Sequence, residues 1–173
     1  MHILFNNLRL LILKKIGIIG SGVVGSATGK GFHRLGHDVL FYDIAKQRLL
    51  SLKENGYQTT TSVQDIIDKT DISFVCVNTP NNDSGEQDLS QLMSVLYDVA
   101  NVLNNNNNNN NNTNRQQRQQ QHNHLIVFRS TMLPGTMRNV VINYLQTNCS
   151  SSSITSSSSR IGRDYNVCYN PEF

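Results

Sequence analysis

The chain has no tryptophan, three prolines and three cysteines among 173 residues. Cys76, Cys149 and Cys168 are odd in number, far apart and without a Cys-x-x-Cys pair. This argues against a disulfide framework and a cysteine zinc site, so no metal is expected and a reducing, cytoplasmic setting fits. Charged residues are scarce at 16%, and the net charge of +3 comes without a basic block, so charge does not point to nucleic acid. Long apolar runs are missing as well. Met1–Leu13 is apolar but carries Arg9, has no small-residue cleavage site, and falls short of the roughly 20 residues a bilayer requires. Residues 1–14 are set apart as an N-terminal extension, with a weak anchor or targeting segment as the alternative, and no membrane is expected.

What is present fits one domain able to bury a core of its own. Short apolar runs alternate with longer helical patterns. Strands are expected over 15–19, 38–42, 72–77, 125–128 and 166–169, with a weak extended piece at 58–60. Helices are expected over 23–35, 46–55, 63–69, 89–103 and 136–145. Continuous apolar strands separated by helices imply an α/β fold, a Rossmann-like doubly wound parallel sheet spanning residues 15–173. Two low-complexity insertions interrupt it, an Asn/Gln tract at 104–124 and a serine-rich tract at 149–159. Both compositions predict disorder. Each tract follows a helix and precedes a strand, which assigns it to the N-terminal edge of the sheet, away from the ligand-binding edge. Lengthening a loop there costs only about 0.6 kcal/mol per doubling. An assembly role for the Asn/Gln tract is the alternative.

The apolar run Lys15-Ile16-Gly17-Ile18-Ile19 passes into Gly20-Ser21-Gly22-Val23-Val24-Gly25, a Gly-x-Gly-x-x-Gly turn opening a helix. Gly20 allows the turn, Gly22 lets backbone approach a pyrophosphate, and Gly25 lets the helix lie close to the sheet. Free N–H groups at the helix start attract phosphate. The next strand ends at Asp43, eighteen residues after Gly25, where a carboxylate can accept both ribose hydroxyls and repel a 2′-phosphate. NAD is therefore expected over NADP. Arg48 has two readings, a phosphate-reaching cation that weakens this preference or a solvated helix face. Later strand ends deliver Asn78-Thr79-Pro80, Arg129-Ser130-Thr131 and Asn170-Pro171-Glu172 to the same edge. Asn78, Thr79, Ser130 and Thr131 join the candidates facing the ligand, with Pro134 and Gly135 opening the following helix.

Taken in order, Gly20–Gly25, Asp43 with Arg48, Val77-Asn78-Thr79-Pro80, Ser130-Thr131-x-x-Pro134-Gly135-Thr136 and Asn170-Pro171-Glu172-Phe173 resemble the NAD-binding domain of the UDP-glucose/GDP-mannose dehydrogenase family. The glycine motif is shared with other dehydrogenases; the Ser-Thr and Asn-Pro-Glu-Phe motifs discriminate. The resemblance implies a two-step oxidation of a nucleotide sugar's C6 alcohol to a carboxylate with two NAD, through a thiohemiacetal on a cysteine. It also implies that Gly20, Val23, Val24, Asp43, Arg48, Val77, Thr79 and Thr131 contact NAD. Thr131 would help position the water or the reacting carbon, and Glu172 would serve as the acid/base in thioester hydrolysis.

The family's nucleophilic cysteine belongs to a later domain. Cys76 and Cys168 are expected inside buried strands, and Cys149 on the far side of the sheet, so none is expected to replace it. The chain is therefore expected to be the cofactor part of a nucleotide-sugar dehydrogenase, inactive until completed by a catalytic domain. A stand-alone NAD-binding regulatory module and a nonfunctional remnant are the alternatives. UDP-glucose is favoured over GDP-mannose only because that activity is the more widespread. An apolar surface left for missing helices would promote association between copies.

Overall fold

The computed structural model describes residues 13–110, 124–149, 161–162 and 165–171, and for 106–110 the backbone only. Six parallel strands form one sheet: β1 (Lys15–Ile19), β2 (Asp38–Tyr42), β3 (Gln58–Thr60), β4 (Ile72–Val75), β5 (His124–Phe128) and β6 (Tyr165–Tyr169). Their spatial order is β3-β2-β1-β4-β5-β6, and every pairing is parallel. The chain leaves β1 toward one edge and returns through β4 toward the other. It thus has the doubly wound topology in which ligands lie beyond the carboxyl ends of the central strands.

Helices α1 (Val23–Arg34), α2 (Lys46–Glu54), α3 (Val63–Lys69), α4 (Ser90–Asn110) and α5 (Asn143–Asn148) cover the sheet. In β1, Ile18 joins an apolar cluster with Val39, Phe41 and Leu52, while its neighbour Ile19 joins Val75, Leu92, Leu96 and Ile126 on the other face. Successive strand side chains point to opposite faces, so a strand covered on both reads as unbroken apolar sequence. Gly29 explains how close α1 lies: a Cβ there would come within 2.4 Å of the Phe41 ring.

Several boundaries differ from the sequence expectation. Strand β4 stops at Val75, two residues early. Helix α4 runs to Asn110, seven residues into the tract assigned to disorder. Extending a helix already anchored by buried Leu92, Leu96 and Val99 avoids the nucleation cost that asparagine's modest propensity would not meet alone. The tract was also drawn one residue too long, since His124 is buried as the first residue of β5. The expected helix over 136–145 is a π-helical turn, Met137–Ile142, leading into α5. Cys168 is exposed rather than buried, because β6 is an edge strand paired only with β5. Cys149 is buried beside the end of α5.

The end of α5 lies against α4 six residues before that helix stops, where Asn104 Nδ2 donates to Asn148 O at 2.6 Å. Residues 1–12, 111–123 and 150–160, and with them the rest of both tracts and nearly all of the N-terminal extension, lie outside the described residues.

Candidate functional site

The first wall of the site is a backbone turn. Gly20 has φ +92°, a region that strongly favours glycine, and its N–H donates to Tyr42 O at 2.9 Å. Gly25 sits beneath it, where a Cβ would lie 1.8 Å from Gly20 O. Gly22 precedes α1, and a Cβ there would meet no protein atom within 4 Å, so its backbone borders open space. Val23, the first residue of α1, is 89% exposed there, and the helix-start N–H groups have anion-binding character.

Asp43 stands at the end of β2 and is only 5% exposed. Its Oδ2 accepts the Ser21 N–H at 2.7 Å and its Oδ1 accepts the Ala45 N–H at 2.8 Å. Arg48 Nη1 reaches both oxygens, at 3.2 and 3.4 Å. Two backbone N–H groups thus fix this carboxylate against the glycine turn, while a half-exposed guanidinium covers its outer side.

A crevice of about 440 Å³ opens here, lined by Gly20, Gly22, Asp43, Arg48, Val77 and Asn78 among the sequence candidates. Its far wall, unforeseen, is the face of α4 bearing Ser90, Ser94 and Asp98, with Tyr42 and Ile44 opposite. The signal was available, since polar residues recurring every four positions on an otherwise apolar helix mark one exposed stripe. Burial pushes the Asp98 carboxyl above its ordinary range. Burial, then the nearby carboxylates of Asp98 and Asp43, push the Tyr42 phenol up as well, keeping it a neutral donor.

Beside the crevice, past Val77 and Asn78, the loops after β4 and β5 form a second wall held by side chains. Ser130 Oγ donates to Val77 O at 2.7 Å, and the Thr79 hydroxyl donates to Thr131 O. Gln87 Nε2 also donates to Thr131 O, at 2.9 Å, while its Oε1 accepts the Leu133 N–H at 3.2 Å. Tyr169 on β6 ties in the same loop, accepting the Met132 N–H at 3.1 Å. Ser130 was expected to face the ligand, but it is buried and its hydroxyl is committed to Val77, so it braces the crevice. Thr131 is exposed. Asn170 is held at the same edge by Arg129 Nη1, at 2.7 Å. Glu172 lies outside the described residues. Among the described residues no cluster of metal-binding side chains occurs, and no helix is long and apolar enough to cross a membrane.

The sequence model of the UDP-glucose/GDP-mannose dehydrogenase family, NAD binding domain, matches residues 51–173. The chain belongs to this family. A model for the NAD binding domain of D-isomer specific 2-hydroxyacid dehydrogenases matches residues 6–93, the segment holding the glycine turn common to many dehydrogenases. The Ser-Thr and Asn-Pro-Glu-Phe motifs fall only within the nucleotide-sugar match. A GDP-mannose 6-dehydrogenase of Pseudomonas savastanoi pv. phaseolicola is 32% identical over 92% of the chain, and a UDP-glucose 6-dehydrogenase of Haloferax volcanii is 26% identical over a similar share. A crystal structure of a GDP-mannose dehydrogenase ternary complex from Pseudomonas aeruginosa superposes with a TM-score of 0.67 and 25% identity, over 91% of the chain and 36% of that protein. The chain spans about 36% of the length of the curated relatives it matches.

NAD is the cofactor of this domain family, and the residues fit it. Gly22 leaves its border open, the start of α1 follows it, and the buried Asp43 carboxylate stands beside the same crevice, a combination of room, N–H groups and acceptors that suits a dinucleotide.

Proposed function

We propose that this chain provides the NAD-binding part of a nucleotide-sugar 6-dehydrogenase, which oxidises the C6 alcohol of UDP-glucose or GDP-mannose to a carboxylate with two NAD. The observation that carries this is Asp43, buried at the end of β2 and bonded to the Ser21 N–H of the glycine turn. Ribose acceptor and pyrophosphate turn are thereby locked into one unit. Bound NAD would supply the hydride acceptor.

The chain's own groups would bind and orient it. N–H groups after Gly22 would take the pyrophosphate. Asp43 would accept ribose hydroxyls at the lone pairs that Arg48 now covers. Arg48 can yield readily, because its side chain is 52% exposed and such pairs contribute about 0.2–1 kcal/mol. Val77, Thr79 and Thr131 would border the nicotinamide half, and Glu172 would act as acid/base toward the substrate. None of the three cysteines is assigned the nucleophile's role: Cys76 and Cys149 are buried, and Cys168, although exposed, lies on the edge strand β6 and does not line the crevice. Turnover is accordingly expected to need the portion of the relatives that this chain does not span.

Calorimetric titration with NAD and NADP tests the reading. Saturable NAD binding, weaker NADP binding and a loss of about tenfold or more in Asp43→Ala are expected. No binding of NAD would overturn it. With UDP-glucose or GDP-mannose added, the pure chain should yield no NADH, and steady production would refute the dependence on a further portion.

A further inference from the structure

We propose that Gln87 is a positioning residue whose amide locks the loop after β4 to the loop after β5 and so shapes the nicotinamide end of the site. This rests on the NAD-binding reading above.

Gln87 occupies the root of a small hairpin, paired antiparallel with Asn81. The hairpin is internally braced. Asn82 Oδ1 accepts from Ser84 N, Ser84 Oγ and Glu86 N at 3.1, 2.7 and 2.9 Å, Gly85 turns the chain at φ +82°, and the Asp88 N–H donates to Pro80 O at 2.7 Å. The backbone of Gln87 is therefore fixed relative to the β4 loop. From there its side chain reaches 44 and 46 residues along the sequence, donating to Thr131 O at 2.9 Å and accepting from Leu133 N at 3.2 Å. The same Nε2 lies 3.5 Å from Thr79 O.

Only a primary amide offers a donor and an acceptor side by side in this way. Glutamate would turn an acceptor toward the Thr131 carbonyl, and leucine would serve neither group. In a doubly wound sheet the two halves of a dinucleotide straddle the switch between strand directions. Asp43 serves the half over β1–β3, and Thr79 and Thr131 border the half over β4–β6. Gln87 touches only the second.

With Gln87 removed, the Thr79–Thr131 and Ser130–Val77 bonds remain, so the fold should persist while the spacing of the threonines loosens. Gln87→Leu and Gln87→Glu, made in this chain, are titrated with NAD and with ADP-ribose, which is NAD lacking the nicotinamide. We expect NAD to bind wild type more tightly than ADP-ribose does. Both variants should lose about fivefold in NAD affinity while ADP-ribose changes by less than about twofold. Thermal unfolding of each variant verifies folding, and the glutamate variant, nearly isosteric, carries the test if the leucine variant does not fold.

Equal losses for the two ligands would overturn the proposal, since Gln87 would then support the whole crevice. Unchanged NAD affinity in both variants would also overturn it. Equal wild-type affinity for NAD and ADP-ribose would overturn it while leaving NAD binding intact. Absence of wild-type NAD binding would instead remove the reading beneath it.

Discussion

The two walls at the carboxyl edge of the sheet are built by different means. On the β1–β3 side the geometry is set by backbone: Gly20 turns at positive φ, Gly25 lies under its carbonyl, and Asp43 is pinned by two main-chain N–H groups. On the β4–β6 side it is set by side chains, with Ser130, Thr79, Gln87 and Tyr169 each bonding a main-chain group of a neighbouring loop. A backbone requirement admits almost no residue but glycine and leaves a mark in the sequence. A cross-link between loops can be made by many polar residues, and which one makes it depends on tertiary proximity.

The sharpest way to break the first wall is Gly25→Ala. Its Cβ would fall 1.8 Å from Gly20 O, and neither atom belongs to a flexible side chain that can move aside. Overpacking of this kind costs about 1–3 kcal/mol, here applied directly to the phosphate turn. The expected outcome is loss of measurable NAD binding with a lowered Tm, read by titration and thermal unfolding. Wild-type affinity in this variant would mean that the turn is not fixed by close approach.

This contrast also accounts for what the sequence made legible. The doubly wound parallel sheet and the glycine–aspartate pair followed from apolar runs, glycine spacing and one acid at a strand end, whereas the order of the strands was read only from the structure. Gln87 was missed because it lies in a polar loop whose partners are 44 and 46 residues away. The π-helical turn at Met137–Ile142 was missed because its apolar pattern also suits an ordinary α-helix. His124 was hidden by its neighbours: it closes an Asn/Gln-rich run, and composition carried it into the tract.

His124 gives the next prediction, at the opposite, amino edge of the sheet. Its Nδ1 lies 2.9 Å from Thr70 O and its Nε2 3.0 Å from Ser73 Oγ, an arrangement that suits a neutral ring donating through Nδ1 and accepting through Nε2. Burial lowers its pKa below the ordinary 6.5, while the Thr70 carbonyl and then Asp71 and Asp68 pull the other way. Below pH 6.5 the unfolded chain therefore binds more protons here than the folded one. The stability that the neutral ring contributes is complete above that pH and is lost as pH falls toward the folded pKa. Tm should drop between pH 7 and pH 5, and His124→Gln, which cannot titrate, should flatten that drop. Identical pH slopes in the two proteins would show that the ring is not held neutral.

The smallest expected effect belongs to Arg48→Gln, and it decides whether the contrast between the walls is real. Arg48 is the cross-linking side chain on the first wall that bonds Asp43 beside the crevice, whereas the Ser21 and Ser26 hydroxyls there only tie the turn to the Tyr42 and Ser21 carbonyls. If backbone alone holds Asp43, the Ser21 and Ala45 N–H groups keep the carboxylate in place without the guanidinium. Stability should then change by no more than about 1 kcal/mol, and NAD affinity by no more than about threefold. NADP should weaken more than NAD, because the guanidinium is the cation beside the carboxylate that would otherwise repel a 2′-phosphate. A loss of NAD affinity as large as that of Asp43→Ala would mean that the first wall also depends on a side-chain bond, and the distinction between the walls would fail.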